Sequence, residues 1–198
     1  RELRHLMWPV LWPRSDRESL ARRLTSCYSQ VHRGLNLRGA MVDQISEYDP
    51  RWPAQFECEA GRLRTVLHGL ALRIDHVGST AVPGLAAKPT IDIQVVAPDR
   101  AAIEACHEQL VGLGYTHCTI PVEFFHRPAT WPHTHHVHVR QAGTFEERRL
   151  CLFRDWLRSH EADRRAYEAL KRMLARDVDL RSSAQRTRYS EAKTQFVR

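Results

Sequence analysis

The sequence IDHVGSTAVPGLAAKPTIDI, residues 74–93, decides how the rest of this chain is interpreted. A β-rich run breaks at Gly78-Ser79, passes through a loop with two glycines and two prolines, and resumes as a second β-rich run that carries one carboxylate, Asp92. Glycine lets a backbone approach a phosphate closely, and its amides point at the anion, so this arrangement is typical of phosphate-handling sites. A tight turn with a structural Asp92, paired to Lys88 or an arginine, is the alternative.

The longer string resembles the GrpB family, whose members carry a closely similar HVGSTAVPGLAAKP segment followed by IDI. The resemblance covers roughly residues 46–198, and its motifs are specific. The family looks like a divergent branch of the nucleotidyltransferase fold. Its other matching residues here are YDPRWP at 48–53, HVHV at 136–139, FRDWLR at 153–158, Tyr189 and Lys193.

The resemblance implies a ligand site around this loop. In a nucleotidyltransferase-type site, carboxylates hold Mg²⁺ ions that bridge the nucleotide phosphates. Asp92 is therefore the catalytic and metal-binding candidate, with Mg²⁺ as the cofactor considered, and His138 is a second catalytic candidate. The candidates for contact with the ligand or its phosphate are Gly78, Ser79, Thr80, Lys88, His76, His136, Arg154, Lys193 and Tyr189.

The strand that carries Asp92 departs from the usual metal-binding pattern. Two metal-binding acids commonly stand two residues apart on one strand, so that both point to the same face. Here Thr90, Asp92 and Gln94 share that face, and only one of them is an acid. Either the metal chemistry is altered, or the protein has kept its ligand site and lost the reaction.

A histidine-bearing strand offers further ligands. His136 and His138 alternate onto one face, and if their strand lies beside that of Asp92, the three residues form a cluster. Neutral imidazoles are good transition-metal ligands, but the spacing matches no usual structural zinc template. Histidines that merely line the exposed face of a half-buried strand are the alternative.

Basic residues supply candidates for the ligand's charge. Lys88 could reach a phosphate held by the loop amides, although the segment is not a Walker A loop, because Leu85 and not a lysine follows Gly84. Arg154 and Arg158 lie on one helix face, and Tyr189 and Lys193 lie on one face of the last helix, so each pair could bind the ligand together. The alternative is that each pair is solvated at the surface. Asp155 could instead form an internal salt bridge with Arg154 that fixes its helix to the sheet.

Periodicity predicts an α+β domain with a mixed β-sheet, flanking helices and a helical C-terminal part. Expected helices begin near Asp49-Pro50, at Asp99, and at about residues 145, 161 and 184. Expected strands are 72–77, 90–96, 115–120 and 135–140. Residues 41–198 form the GrpB-like domain.

The first forty residues differ from the rest, with eight arginines against three acids. We interpret residues 1–40 as an N-terminal extension; a targeting peptide and a helical appendage are the alternatives. The remainder has 22 basic and 20 acidic residues, which does not indicate nucleic-acid binding by the folded domain. No apolar run suggests a membrane span, and five cysteines without a C-x-x-C pair predict mostly buried, reduced thiols in a cytoplasmic protein.

Two classes of function remain open from the sequence. One is an enzyme that transfers a nucleotidyl or phosphoryl group from a phosphate-bearing small molecule. The other is a catalytically degenerate module that binds such a ligand for regulation or assists folding. The single carboxylate favours the second, whereas the polar loop and the histidine strand favour the first. The sequence identifies neither the substrate nor the oligomeric state.

Overall fold

The computed structural model describes residues 45–118, 123–176 and 182–197. The chain divides into two compact units, of which one is Gln44–Glu168 and the other includes the residues after Glu168. The predicted N-terminal extension over residues 1–40 lies outside the described residues, so that boundary stays a prediction.

In the described part of the chain, two helices and five strands come first, and three helices follow. In chain order the elements are α1 (Trp52–Val66), β1 (Arg73–Val77), a 3₁₀ turn (Ser79–Ala81), β2 (Ile91–Ala97), α2 (Arg100–Gly112), β3 (Thr116–Cys118), β4 (Phe124–Arg127), β5 (His135–Gln141), α3 (Phe145–Ser159), α4 (Glu161–Arg176) and α5 (Ser183–Val197). Residues 78–90, which join β1 to β2, are called the glycine loop below.

Local signals explain several of these boundaries. The Asp99 carboxylate accepts a hydrogen bond from the Ala102 amide at 2.8 Å and thereby caps the N-terminus of α2. The Thr144 hydroxyl accepts from the Glu147 amide at 3.3 Å at the start of α3. Each expected helix and strand of the described chain is present, with ends that differ by a few residues. Strand β4 is an addition that the sequence pattern does not predict.

The sheet has five strands in the order β1-β2-β5-β4-β3. Strands β2 and β5 are parallel, and the other three pairs are antiparallel. The expected α+β domain with a mixed sheet and a helical C-terminal part is confirmed.

One face of this sheet forms the core with α1 and α2. Phe56 and Leu63 of α1 and Cys106 of α2 are buried in a single cluster with Ile93 and Val137 of the sheet. Because side chains alternate along a strand, Asp92 and His136, one residue before each of those two, point to the opposite face. The candidate site therefore lies on the face away from α1 and α2.

The thiols fit the cysteine prediction only in part. Among the described residues Cys58, Cys106, Cys118 and Cys151 are all free, but Cys58 is exposed and only Cys106 is fully buried. Cys27 lies outside the described residues. In the part of the chain that the structure describes, no helix combines the length and the apolar character that crossing a membrane requires.

Candidate functional site

The parallel pairing of β2 and β5 brings Asp92 and His136 into direct register. His136 Nδ1 lies 3.0 Å from Asp92 Oδ1, so the imidazole donates a hydrogen bond to the carboxylate. The Asp92 side chain is 27% exposed and that of His136 is 16% exposed. The condition set for a cluster of these residues, that the two strands lie side by side, is met. The partner that this register gives Asp92 is therefore a histidine.

Asp92 is ionised at neutral pH in this environment. Burial raises the pKa of its carboxyl, but the hydrogen bond from His136 and the electrostatic influence of His136, His138 and Lys88 outweigh that effect and lower the pKa to about 2. The site therefore presents a fixed negative charge, with Lys88 and two histidines around it.

A row of histidines continues from Asp92 along the sheet. His136 Nε2 lies 3.2 Å from His133 Nδ1, and the His133 ring stacks on His126 with 3.9 Å between the ring centroids. We call Asp92, His136, His133 and His126 the Asp92 cluster. Because His136 Nδ1 donates to the carboxylate, a neutral His136 accepts at Nε2 from His133 Nδ1. This neutral row therefore leaves His133 Nε2 without a proton.

The glycine loop packs its backbone directly against Asp92. Gly78 has φ +71° and ψ −171°, a conformation that only glycine adopts readily. A Cβ at this position would stand 2.3 Å from Asp92 Oδ2 and 2.8 Å from Asp92 Cγ. Glycine is therefore required here both by its backbone angles and by the carboxylate beside it.

The two residues after Gly78 differ in what their hydroxyls do. Thr80 is buried; its hydroxyl donates to the Thr90 carbonyl at 3.2 Å and lies 3.1 Å from His76 Nε2. The Ser79 hydroxyl is hydrogen-bonded to Tyr167. Tyr167 is buried, and its burial and the charge of Asp92 both raise its pKa. Ser79 therefore lies at the site, whereas the Thr80 hydroxyl serves the internal structure of the loop.

His76 lies on the wrong face to contact a ligand at Asp92. Its ring stacks on Phe56 of α1, with 4.7 Å between the centroids and 5° between the planes. Burial lowers the pKa of His76 to about 4, so the imidazole is neutral at pH 7. The geometry thus gives His76 a supporting role through Thr80 and does not support the direct ligand contact considered for it.

Lys88 lies at the far end of the glycine loop and contributes positive charge. Its Nζ stands 5.3 Å from the centroid of the Trp131 ring, within cation–π range. Trp131 also makes an edge contact with His133 of the Asp92 cluster, at 5.2 Å between centroids. The lysine, the tryptophan and the histidine row therefore border the same area around Asp92.

No second acid stands beside Asp92 among the described residues of this face. Gln94, where a second acid would be, is buried and donates through Nε2 to the Glu147 carbonyl at 3.0 Å. Asp75, in register with Gln94, is held by Arg73 at 2.8 Å. The residues present therefore fit a pair of Mg²⁺ ions poorly, because such a pair needs more carboxylate oxygens than Asp92 supplies.

His138 is more enclosed than its neighbour His136. It lies in register with Gln94, and its Nδ1 is buried without a hydrogen-bond partner among the described residues. Burial lowers the pKa of His138 to about 4, against the opposing effect of Asp92. The structure thus brings His138 to the predicted face, while His136 is the histidine that contacts Asp92.

The arginines of α3 bind backbone carbonyls around the glycine loop. Arg154 donates to the His76 carbonyl at 2.8 Å and is fixed by Asp155 at 2.9 and 3.1 Å. Arg158 donates twice to the Ala81 carbonyl, at 2.7 and 3.0 Å. The salt-bridge interpretation of Asp155 therefore agrees with the structure, and Arg154 positions the loop instead of standing open to a phosphate.

Helix α4 adds contacts of the same kind. Arg164 donates to the Pro83 carbonyl at 3.1 Å, and the Ala86 amide donates to the Glu168 carboxylate at 3.2 Å. Tyr167, between them in sequence, holds Ser79. The loop is thus bound along its length by side chains of two successive helices.

Two further candidates belong to the second unit. Tyr189 and Lys193 lie one turn apart on α5, with the Lys193 Nζ 4.4 Å from the centroid of the Tyr189 ring. Their contact with each other matches the helical spacing, and their participation in the site stays a prediction.

Sequence reasoning missed His133, His126, Trp131 and Tyr167. The density of histidines between residues 126 and 138 was a usable signal for the first two. Strand β4 would have been needed to place them, because it carries His126 in register with His136. Tyr167 gives no sequence signal, since a tyrosine in a charged helix is an ordinary core residue.

The fold and the site together define a class of protein: an α+β domain with a mixed five-stranded sheet, one ionised aspartate under a glycine loop, and a row of histidines beside it. The chain belongs to the GrpB protein family, whose profile matches residues 43–198. The expectation drawn from the HVGSTAVPGLAAKP segment is therefore confirmed.

Individual relatives agree with this assignment. The chain is 44% identical over 155 residues to a UPF0157 protein of Halalkalibacterium halodurans, a match that covers 77% of each chain. It is 36% identical over 159 residues to a dephospho-CoA kinase of Mycolicibacterium paratuberculosis, covering 66% of this chain but only 39% of the kinase. The crystal structure of the conserved protein GrpB from Enterococcus faecalis matches with a TM-score of 0.62 and 31% identity, over 78% of this chain and 99% of that one.

Proposed function

We propose that this chain binds a nucleotide or another phosphorylated metabolite where the glycine loop meets Asp92. The observation that carries the proposal is the close approach of Gly78 to Asp92, in which a single added carbon would stand 2.3 Å from the carboxylate oxygen. Such an approach places loop backbone, a fixed charge and the histidine row within reach of one small ligand.

Charge decides how a phosphate could be accepted here. An ionised Asp92 repels a phosphate unless a cation stands between or beside them. Lys88 supplies a positive charge at the site. Since a two-metal Mg²⁺ centre fits poorly, the proposal assigns charge compensation to Lys88. A single divalent ion brought with the nucleotide is the further case to be tested.

The histidine row favours a transfer reaction at the same site. In such a reaction, Asp92 would hold His136 in the tautomer that donates at Nδ1. A neutral His133 would then donate from Nδ1 to His136 Nε2, and its own Nε2 would be the unprotonated nitrogen. A hydroxyl or water near that nitrogen would give its proton to His133 Nε2 as its oxygen forms a bond to phosphorus. The leaving oxygen would depart with the electrons of the broken P–O bond. The acceptor and the leaving group are not identified by these residues.

A binding module without catalysis is the second candidate. It is favoured by Gln94, a buried amide in the place of a second metal-binding acid, with its NH₂ group used inside the protein. Such a module would keep the loop and Lys88 for the ligand and use them for regulation or to assist a partner's folding.

The experiment is a calorimetric and thermal-shift panel with ATP, GTP, CTP, UTP and coenzyme A, each with and without Mg²⁺ or Mn²⁺. Coenzyme A is included because one relative is a dephospho-CoA kinase. At least one compound should stabilise the chain, and Lys88→Met should weaken its binding. If no compound binds at millimolar concentration, the proposal is wrong.

Asp92→Asn then separates the role of the metal. Stabilisation that depends on Mg²⁺ should disappear, because the amide lacks the charge that a hard cation needs. Binding without metal should weaken less, or improve, as one negative charge is removed. Asp99→Asn is the matched control, since it removes the same charge at an N-cap where asparagine serves as well.

His136→Gln separates the two candidate functions. If the chain consumes a bound nucleotide and this variant binds but no longer consumes it, transfer is supported. If the unaltered chain binds and shows no turnover, the binding module is supported.

A further inference from the structure

A second cluster of metal-ligating side chains lies away from Asp92, where α2 meets β3. It consists of His107 from α2, His117 from β3 and Glu123 from just before β4, called the His107 cluster below. One ligand atom from each residue lies within 4.8 Å of the other two. These three residues come from separate elements, so the tertiary fold brings them together.

His117 is half-buried, and one of its ring nitrogens lacks a hydrogen bond within the described chain. Its Nε2 is buried and has no hydrogen-bond partner among the described residues. A buried polar atom without a partner costs stability. A metal ion coordinated by this nitrogen would remove that cost, which a purely structural role leaves unexplained.

The other two ligands are already directed to the same point. His107 Nε2 lies 2.5 Å from Glu123 Oε2, and Arg100 holds the other carboxylate oxygen at 2.7 Å. The arginine thereby orients the carboxylate from behind, as outer hydrogen-bond partners commonly do at metal sites. The Glu123 side chain is 9% exposed and that of His107 is 28% exposed, so one side of the cluster opens to solvent.

The surroundings keep the site partly dry and of definite shape. Phe125 contacts both histidine rings, at 4.7 Å from His117 and 5.1 Å from His107 between centroids. Glu123 itself has φ +64°, a backbone angle that non-glycine residues adopt only when the fold imposes it. Two rings and a carboxylate are therefore presented together on an apolar base.

We propose that the His107 cluster binds a transition-metal ion of the zinc type, through two imidazole nitrogens and one carboxylate oxygen, with a fourth position open to water. This donor set suits Zn²⁺ and not Mg²⁺, which prefers oxygen ligands. Zinc bonds of about 2.0 Å at tetrahedral angles separate ligand atoms by about 3.3 Å. Binding therefore replaces the hydrogen bond between His107 and Glu123 and draws His117 Nε2 inward.

The test measures Zn²⁺ binding by the full chain after chelator treatment, by calorimetry and by the thermal shift on adding Zn²⁺. His117→Phe is the informative variant, because it keeps an aromatic ring against Phe125 and removes both ring nitrogens, although the phenyl ring is larger than imidazole. Without metal it should be as stable as the unaltered chain or more so, since Nε2 has no hydrogen bond to lose. Its affinity for Zn²⁺ should fall at least tenfold.

Two controls and a second test of the site keep the result specific. His68→Gln alters an exposed histidine at the end of α1 and should leave Zn²⁺ binding unchanged. His136→Gln disables the rival Asp92 cluster and should also leave it unchanged. Glu123→Gln serves as a second test of the site, read against the stability of the metal-free variant, if His117→Phe fails to fold.

Bound Co²⁺ provides an independent readout, because its visible absorption reports a tetrahedral site with nitrogen and oxygen ligands. That absorption should appear with the unaltered chain and vanish with His117→Phe. The proposal is overturned if Zn²⁺ does not bind, if His117→Phe binds it equally well, or if His136→Gln abolishes the binding instead.

Discussion

Gly78→Ala is the substitution whose effect the structure defines most closely. The added Cβ would stand 2.3 Å from Asp92 Oδ2 and 2.8 Å from both Cβ and Cγ of that residue. A non-glycine residue at these backbone angles costs about 1–3 kcal/mol, and forcing a methyl group into a packed site costs a similar amount. Because the carboxylate is also tied to His136, we expect a loss of about 3 kcal/mol in the free energy of unfolding, measured by urea denaturation.

Gly69→Ala is the matched control for this prediction. Gly69 also has a positive φ, +79°, but no atom lies within 4 Å of the position of its missing Cβ. It should therefore lose only the backbone contribution, about 1–2 kcal/mol. The difference between the two variants contains the contact with Asp92 together with any difference in backbone cost, and the double-mutant cycle below separates the two.

A double-mutant cycle with Asp92→Gly checks the cause directly. Removing the Asp92 side chain frees the space that the new methyl group needs, so the double variant should be more stable than the sum of the single effects by about 1 kcal/mol or more. Equal losses in Gly78→Ala and Gly69→Ala, or strict additivity in the cycle, would refute the reasoning.

Two further predictions concern pH and the loop contacts. His76 and His138 have folded-state pKa values of about 4 against an ordinary 6.5, so the unfolded chain binds more protons between those values. The free energy of unfolding should be highest above pH 6.5 and should fall as the pH drops towards 4, by up to about 3 kcal/mol for each histidine. The dependence on pH should be weaker in His138→Gln. Urea denaturation that gives the same free energy of unfolding across this range would contradict the assignment. Arg158→Met removes both hydrogen bonds to the Ala81 carbonyl and should cost about 1 kcal/mol, since the arginine is partly exposed. Arg148→Met, at an exposed position on the same helix, should change the unfolding free energy by less than about 0.5 kcal/mol.

Much of the fold follows from local patterns. Apolar residues repeat at helical spacing from Phe56 onward, Asp99 marks a helix start, and β-branched residues mark the two strands around the glycine loop. These features depend on neighbours in sequence, so reading along the chain finds them. Strand β4 is not predicted, because it has only four residues and the run Phe125, His126 and Arg127 shows no clear apolar–polar alternation.

The candidate site is less accessible to sequence reasoning because it depends on strand order. The face shared by Asp92 and Gln94 follows from the alternation of side chains, whereas the contact between Asp92 and His136 requires β5 to lie beside β2 in register. Sequence patterns also assign roles by residue type. Arg154 and Thr80 look like ligand-binding groups, but their hydrogen bonds go to the protein's own backbone.

The binding of the glycine loop by α3 and α4 has a consequence for hydrogen exchange. Five side chains of the two helices, Arg154, Arg158, Arg164, Tyr167 and Glu168, hold the His76 carbonyl and groups of the loop at Ser79, Ala81, Pro83 and Ala86. Amides of a surface loop ordinarily exchange with solvent long before those of the helices around it. Here the loop cannot open without breaking contacts to both helices, so loop and helices should lose protection together as one cooperative unit.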